Sequence, residues 1–488
     1  MLPCMARVIT RIARHKTAIR RHDFSLPVKC LLRDTLLGPA VSLFDYGCGH
    51  GENIERLRDV GIQCEGWDPV YRPDVPHDPA DVVNLGYVIN VIEDPVERAA
   101  TLQSAWALCR KMIAVSAQIK IPGPGTSQTE FGDGVVTRLG TFQKYFTQAE
   151  LREYIQSVLG TDAIPAALGV FYVFRDESLR QQYLATRYVR PATTPRGQST
   201  EVKFEEYREL LEPLMAVISA YGRLPEPDEF EDCHAVVEKI GSVKRAFALI
   251  KTVTGPEAWD AIRQRRSEDM LVYLALSRFR YRPPIGKLPI GLQRDVRAFF
   301  GSYKRACNLA DGLLFLAGDG DAIDDECRRS NVGKLLPTAL YVHRSALAHL
   351  APLLRIFEGC ARSYVGEIAE ANLIKLHRYS GKVSYLSYPD FESDPHPALN
   401  LSVKVNLRSL ELDCYNYSTS ENPPILHRKE TFLHSDHPLY AKFSRLTQQE
   451  ERSGLLGDTS AIGTRKGWEI RLQEAGVALR GHRVVKTN

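Results

Sequence analysis

No run of about 18 apolar residues occurs in the chain, which argues against a membrane span. Its opening, Met1 to Arg21, is rich in arginine and lacks the apolar centre of a secretory signal. The 10 cysteines include no C-x-x-C pair and no cluster with histidine at zinc spacing. Neither a disulfide framework nor a structural zinc is expected, so no metal ligands are assigned and the thiols read as reduced. A cytoplasmic protein with no membrane partner is the expectation. An excess of either charge is lacking too: 63 Lys and Arg stand against 59 Asp and Glu, a formal net of +4. That balance permits contact with nucleic acid without demanding it.

What is present is an ordinary globular composition, 44% hydrophobic and 25% charged over 488 residues. That length holds about two to four domains. The stretch that organises it is Phe44-Asp45-Tyr46-Gly47-Cys48-Gly49-His50-Gly51. A β-propensive run from Val41 ends at an acid, passes into Gly-x-Gly-x-Gly, and is followed by a helical pattern from Glu52 to Val60. Strand, glycine turn and helix form the context of a nucleotide-binding βα turn, in which the glycines permit positive φ and close approach of a ligand. A second short strand, Ile62 to Asp68, ends in a carboxylate placed as a bidentate acceptor for ribose hydroxyls.

In chain order, Arg14, His15, Lys16, Arg20 and Arg21, with Arg7 and Arg11, form a basic lead-in at near-helical spacing. Two roles fit it, phosphate contact or the solvated face of a helix packed on the next domain. Leu26 to Leu37 reads as a further helix. Prolines 69, 73, 76 and 79 leave little room for a full helix and third strand, so the fold is expected to be abbreviated there. Asp81 to Gly86 reads as a buried strand, Val96 to Lys111 as a helix opened by Pro95, and Met112 to Ile119 as the next strand. Ile121 to Thr126 is a loop. Thr147 and Glu150 make a capping box, and Ala166 to Phe174 a last strand. This alternation predicts a doubly wound, Rossmann-like α/β sheet.

After a linker near Tyr188 to Ser199 the texture turns helical, and Gly-Ser-x-Lys-Arg-Ala occurs twice, at Gly241 and at Gly301. Each copy predicts helix, Gly-Ser turn, helix, with Lys244 and Arg245, or Lys304 and Arg305, in the first turn of the second helix. A helix-turn-helix presents basic residues to DNA this way; two stacked modules with solvated cations fit the pattern equally. Farther on, Leu335 to Phe357 reads as helix, Lys382 to Tyr388 and Leu399 to Leu412 as strands, and the chain from Arg445 as a polar helical tail ending in a basic segment. The segments are thus 1–40 basic lead-in, 41–180 α/β domain, 200–330 helical repeat domain, and 331–488 α+β domain.

The G-x-G-x-G spacing, Asp45 two residues before it, and Asp68 together resemble motifs I and II of class I S-adenosylmethionine-dependent methyltransferases. The resemblance implies that Asp45, Gly47, Gly49 and Gly51 face the methionine and ribose of that cofactor, and that Asp68 holds the ribose; the loop Val75 to Pro79 would flank the adenine. The acceptor side would lie at the end of the fourth strand of that fold, at Asn84-Leu85-Gly86-Tyr87. These residues keep the ends of the Asn-Pro-Pro-Tyr turn of base-amine methyltransferases, with Asn84 to accept from the amine and Tyr87 to stack on the base. Asn422-Pro423-Pro424-Ile425 is a second, less complete version. No Pro-Cys pair lies beyond the glycine loop, which disfavours cytosine C5 chemistry. Asp390, Glu392, Asp394 and His396, with His427 to Glu430, suggest either a nuclease-like site or a polar surface loop.

Beyond the domain, several segments resemble the DNA phosphorothioation-associated methyltransferase family. They are Arg14 to Ile19, the glycine loop, Gly66 to Pro73, Val83 to Pro95, Leu340 to Leu347, Lys382 to Phe391 and Pro424 to Glu430. The resemblance implies a bacterial host-defence setting, with DNA and phosphorothioation-system proteins as partners. A scaffold or cofactor sensor, or a methyltransferase of RNA or small molecules, are the alternatives.

Overall fold

A computed structural model describes residues 12–120, 129–191, 193–195 and 202–487. Arg7, Arg11 and the loop Ile121 to Thr126 lie outside the described residues, as does part of the expected linker. The chain divides into two compact units. One takes the chain up to Leu179, Val332–Ala346, and the chain from Cys360; the other takes Arg180–Asn331 and Leu347–Gly359.

The first unit is built on a mixed sheet. Its elements begin with α1 (Leu26–Arg33), β1 (Leu43–Tyr46), α2 (Glu52–Asp59), β2 (Cys64–Trp67), β3 (Ala80–Gly86), α3 (Pro95–Ala107) and β4 (Cys109–Ser116). A small sheet follows, β5 (Thr129–Phe131), β6 (Gly134–Val136) and β7 (Phe142–Gln143), then α4 (Gln148–Leu159), β8 (Ile164–Ala167) and β9 (Val170–Phe174). The main sheet runs β2-β1-β3-β4-β9-β8. Pairs β1 with β2, β1 with β3, and β3 with β4 are parallel; β9 is antiparallel to both its neighbours.

Alternating side chains sort to opposite faces of these strands. Phe44, Val83, Leu85, Ile113 and Val115 share one core with Leu102 and Ala105 of α3 and Leu151 and Ile155 of α4. The alternate positions Leu43, Val82, Met112 and Ala114 are equally buried. Strands buried on both faces read as continuous apolar runs, which is why β3 and β4 were legible. The expected last strand, Ala166 to Phe174, is instead a hairpin, because Gly169 takes φ +74° between β8 and β9. The expected capping box is formed: Thr147 accepts from the Glu150 N–H, and the Glu150 carboxylate accepts from the Thr147 N–H at 2.7 Å.

The same unit contains a six-stranded antiparallel meander, in sequential order. Its strands are β10 (Lys334–Leu336), β11 (Ala339–His343), β12 (Leu373–His377), β13 (Lys382–Ser387), β14 (Leu401–Asn406) and β15 (Glu411–Asn416). The expected helix over Leu335 to Phe357 is corrected at its start, where β10 and β11 pair; the period-2 burial of Leu340 and Val342 decides it. After α15 (Tyr440–Arg452) and α16 (Arg465–Glu474) the tail closes in a hairpin, β16 (Val477–Leu479) and β17 (Val484–Lys486), rather than in helix. Segments 41–180 and 331–488, expected as separate domains, meet in this unit. Gln148 donates to the Val365 carbonyl at 3.1 Å, and the Glu367 N–H to the Ala166 carbonyl at 3.0 Å.

The second unit is helical. It holds most of α5 (Glu177–Thr186), then α6 (Val202–Glu206), α7 (Arg208–Tyr221), α8 (Cys233–Ile240), α9 (Val243–Thr254), α10 (Pro256–Ser277), α11 (Ile290–Phe300), α12 (Tyr303–Leu316), α13 (Gly320–Arg329), and the start of α14 (Pro352–Val365). Both repeats form as expected. Gly241 (φ +97°) ends α8 and Gly301 (φ +76°) ends α11; Ser242 and Ser302 then cap α9 and α12 by accepting from the N–H of Arg245 and Arg305. Ala246 and Ala306 are fully buried, so the shared motif encodes a cap and a close helix contact. Lys244, Arg245, Lys304 and Arg305 are all exposed.

Candidate active site

The strand order gives the site its place. From β1 the chain goes outward to β2 on one side and, on return, to β3 and β4 on the other. The carboxyl ends of β1 and β3 therefore flank a topological switch point, where open α/β sheets bind ligands. A cavity of about 320 Å³ opens there. Its floor carries Gly47, Cys48 and Gly49 after β1, Asp68 after β2, Gly86 at the end of β3, and Tyr87 and Val88 beyond it.

Local forces shape the glycine loop. Gly47, Gly49 and Gly51 have φ of +80°, +57° and +91°. A Cβ on Gly47 would stand 2.4 Å from Val88 Cγ2, so the absent side chain is what lets the β3 end close against β1. The N–H groups of Gly47 and Cys48 donate to the Trp67 carbonyl at 2.8 and 3.0 Å. Asp68 Oδ2 accepts the Gly49 N–H at 3.1 Å, and its Oδ1 accepts those of Val70 and Tyr71 at 2.9 and 3.0 Å. A carboxylate has about four acceptor sites. With three occupied, Asp68 offers a ligand one hydrogen bond, where the sequence suggested a bidentate grip on ribose.

Two of the expected cofactor residues stand off the cavity wall. Asp45 is buried at 2% exposure, and its Oδ1 accepts from Asn84 Nδ2 at 2.7 Å while its Oδ2 accepts from Asn53 Nδ2 at 3.2 Å. Burial raises its pKa, against the lowering effect of those two amides. Gly51 is the left-handed N-cap of α2, and a Cβ there would meet Arg72 Nη1 at 2.9 Å. Asn84 does not line the cavity either. It is 1% exposed, its Nδ2 donates to Asp45 and so ties β3 to β1, and its Oδ1 is buried without a hydrogen-bond partner. The loop Val75 to Pro79 also supplies no wall residue: His77 packs against Trp67 at 4.6 Å between ring centroids, with Tyr46 and Phe44 nearby.

Tyr87 lines the cavity. It also has φ +60°, a conformation a bulky L-residue adopts only under constraint. Its N–H is held by the Ser116 carbonyl at 3.0 Å and the Ser116 Oγ at 3.2 Å, and the Arg21 guanidinium lies 5.8 Å from its ring centroid. Such strain, about 1–3 kcal/mol, persists where the surroundings over-determine it, and functional sites collect it. Burial raises the phenol's pKa, so at neutral pH Tyr87 is a neutral aromatic and hydroxyl group rather than a phenolate. Burial also pushes the Cys48 thiol up to about 12, which removes a thiolate nucleophile from the cavity.

The roof went unread in the sequence. The described part of the expected basic helix is a short 3₁₀ turn, Arg14–Thr17, followed by extended backbone at Ala18. Instead Arg14 pairs bidentately with Glu97 and through Nε with Glu93 at 2.7 Å. Tyr71 Oη donates to the His15 carbonyl at 3.0 Å, and Arg56 to the Arg21 carbonyl at 2.6 Å. Arg14, Ala18, Ile19 and Arg21 thus line the cavity from above. The only available signal was the density of arginine opposite the acids Glu93 and Glu97.

The second candidate chemistry does not assemble a metal site. Among the described residues no group of three or more His, Cys, Asp or Glu side chains is placed to hold a metal ion. Asn422 and its prolines cap the α16 region, the Asn422 Oδ1 accepting from the Lys466 N–H at 2.9 Å.

No family model matches the chain, and no curated protein matches it. Solved structures with a similar fold include the 1,6-didemethyltoxoflavin N1-methyltransferase of Burkholderia thailandensis with S-adenosylhomocysteine bound. It is 14% identical over 34% of this chain and 80% of that one, with a TM-score of 0.25. An amino pentose methyltransferase from Micromonospora echinaspora with S-adenosylmethionine bound is 15% identical over 30% and 89%, TM-score 0.23. The magnesium protoporphyrin IX methyltransferase of Synechocystis PCC 6803 is 13% identical over 33% and 93%, TM-score 0.22. The nucleotide-type fold is established by the strand order itself rather than by these likenesses. In the helical unit, the four repeat cations are exposed, and Arg245 folds back so that its Nη1 lies 2.9 Å from where a Gly241 Cβ would sit.

Proposed function

We propose that the protein is an S-adenosylmethionine-dependent methyltransferase whose acceptor is nucleic acid, a base amine of DNA. The observation that carries the reading is the cavity at the switch point, with Gly47, Gly49 and Asp68 on one side and a strained Tyr87 on the other. The residues fit a nucleoside-containing cofactor: the left-handed glycines give bare backbone, and Asp68 keeps one acceptor site for a sugar hydroxyl. That cofactor supplies an electrophilic methyl group when bound. The chain's own part is to orient and to exclude water, with the strap Arg14 to Arg21 as roof and the neutral Tyr87 ring as the stacking surface for a base. An amine acceptor needs no strong base, since its proton leaves after attack, and no such base is offered by Cys48 or Tyr87. The phosphorothioation-linked defence setting, with DNA held partly by Lys244, Arg245, Lys304 and Arg305, rests on the sequence resemblance.

One observation favours a second reading. Asn84, the expected acceptor of the amine's hydrogen bond, is 1% exposed and off the cavity wall, so its unpartnered Oδ1 does not face an acceptor there. A cofactor sensor or scaffold, or a methyltransferase of RNA or small molecules, would not need it. Transfer of tritiated methyl from S-adenosylmethionine to plain and phosphorothioated DNA, with tRNA alongside, separates them. The expected result is label in DNA that disappears with Asp68→Ala. Label only in tRNA removes the DNA acceptor, and cofactor binding without label in any acceptor removes the enzyme.

A further inference from the structure

A second cavity, also about 320 Å³, lies far from the glycine loop in sequence, between α15 and the tip of the β16–β17 hairpin. Its lining is Lys442, Arg445, Gln449, Arg480, His482 and Arg483, with no carboxylate among them. Positions 442, 445 and 449 recur at helical spacing and so form one stripe of α15. Arg480 and Arg483 face each other across the hairpin turn, closed by the Arg480 N–H to the Arg483 carbonyl at 2.9 Å with Gly481 at φ +54°. Lys442 donates to the Glu392 carbonyl at 3.3 Å and lies 5.8 Å from the Phe443 ring centroid, and Arg445 donates to the Ala441 carbonyl at 3.1 Å.

The hairpin is fixed rather than loosely laid on the helix. His482 stacks on Phe443 with ring centroids 5.4 Å apart and planes at 22°, and the Val484 N–H donates to Gln449 Oε1 at 3.1 Å. Behind His482 stands Lys429, 2% exposed, whose Nζ donates to the carbonyls of Phe391 and Asp394 at 2.7 and 2.6 Å and lies 3.1 Å from His482 Nε2. An ammonium only donates, so Nε2 accepts and the proton of the neutral imidazole sits on Nδ1. Three carbonyl and imidazole acceptors thus hold the Lys429 amine, whose pKa burial lowers to about 7, directly behind a cavity lined by four cations.

We propose that this cavity binds a phosphate group, of a nucleotide or of a polynucleotide backbone, through Lys442, Arg445, Arg480 and Arg483. Gathering four cations with no lining carboxylate costs repulsion that an oxyanion relieves, and a pre-positioned guanidinium pair suits the bidentate geometry of phosphate. A merely solvated surface would intersperse acids among such cations. The proposal is independent of the methyl-transfer reading, because no residue of the switch-point cavity takes part.

The test uses the full chain and a labelled 20-base-pair duplex in fluorescence anisotropy between about 50 and 200 mM salt, with calorimetric titration of pyrophosphate alongside. For Arg480→Ala/Arg483→Ala we expect duplex affinity to fall about tenfold or more, and the slope of log affinity against log salt to become shallower by about 2. That outcome assigns the site to polynucleotide phosphate. If instead duplex binding is unchanged while saturable pyrophosphate binding is lost in the variant, the site takes free phosphates. Wild-type behaviour in both assays overturns the proposal. Both arginines are exposed, so the variant should melt as wild type. Arg480→Lys/Arg483→Lys should keep the salt slope and lose only part of the affinity.

Discussion

Replacing Gly47 by alanine isolates what the glycine loop contributes. Two penalties add there. A non-glycine residue at φ +80° costs about 1–2 kcal/mol. The new methyl would also stand 2.4 Å from Val88 Cγ2, where ordinary contact begins at 3.4 Å, and overpacking of this kind costs about 1–3 kcal/mol. Gly61 is the internal control: its φ is +77° but nothing lies within 4 Å of its added Cβ, so Gly61→Ala pays the first penalty alone. Val88→Ala removes the clashing methyl, and its combination with Gly47→Ala should return the second penalty as a coupling energy of about 1–3 kcal/mol. Hydrogen exchange of β1 and β3 amides reads the local free energy, and calorimetry reads S-adenosylmethionine binding, which should weaken in parallel. The reasoning fails if Gly47→Ala costs no more than Gly61→Ala, or if Val88→Ala leaves the cost unchanged.

Other outcomes follow from the same geometry. Ser302→Ala should destabilise by about 1 kcal/mol and Ser302→Gly by only a few tenths, because the hydroxyl caps the Arg305 N–H at 3.2 Å; urea midpoints at constant slope check this. Glu450 is buried, with His396 Nε2 at 2.8 Å from its Oε1, and burial raises its carboxyl from 4.5 to about 7. A raised carboxyl stabilises the fold fully below pH 4.5 and loses that contribution as pH climbs through about 7. Glu450→Gln should therefore gain on wild type by roughly 3 kcal/mol between pH 4.5 and 8, a difference that paired melts at each pH measure. An unchanged difference across that range would mean that Glu450 is ionised in the fold throughout. Tyr87→Phe should retain cofactor binding and acceptor stacking, whereas Tyr87→Ala should weaken the acceptor by about tenfold or more in KM, since the ring rather than the hydroxyl carries the contact.

By itself the sequence determined those features that depend on neighbours along the chain. The β1 turn, the Thr147 capping box and both Gly-Ser caps are short-range matters of φ, caps and backbone donors, so residues a few positions apart settle them. Buried parallel strands announce themselves as apolar runs, and the proline-rich stretch after Asp68 signalled the missing helix and strand. Tertiary structure decided whatever depends on partners distant in sequence. Asn84 was drawn off the cavity by Asp45, 39 residues earlier, and Arg14 was drawn over it by Glu93 and Glu97. The cationic cavity brings together a helix stripe and a hairpin tip that no local pattern links. Local rules fix what the backbone does at each turn; which side chains then face one another depends on long-range pairing and strand alternation, where one step along a strand moves a residue from the ligand to the core.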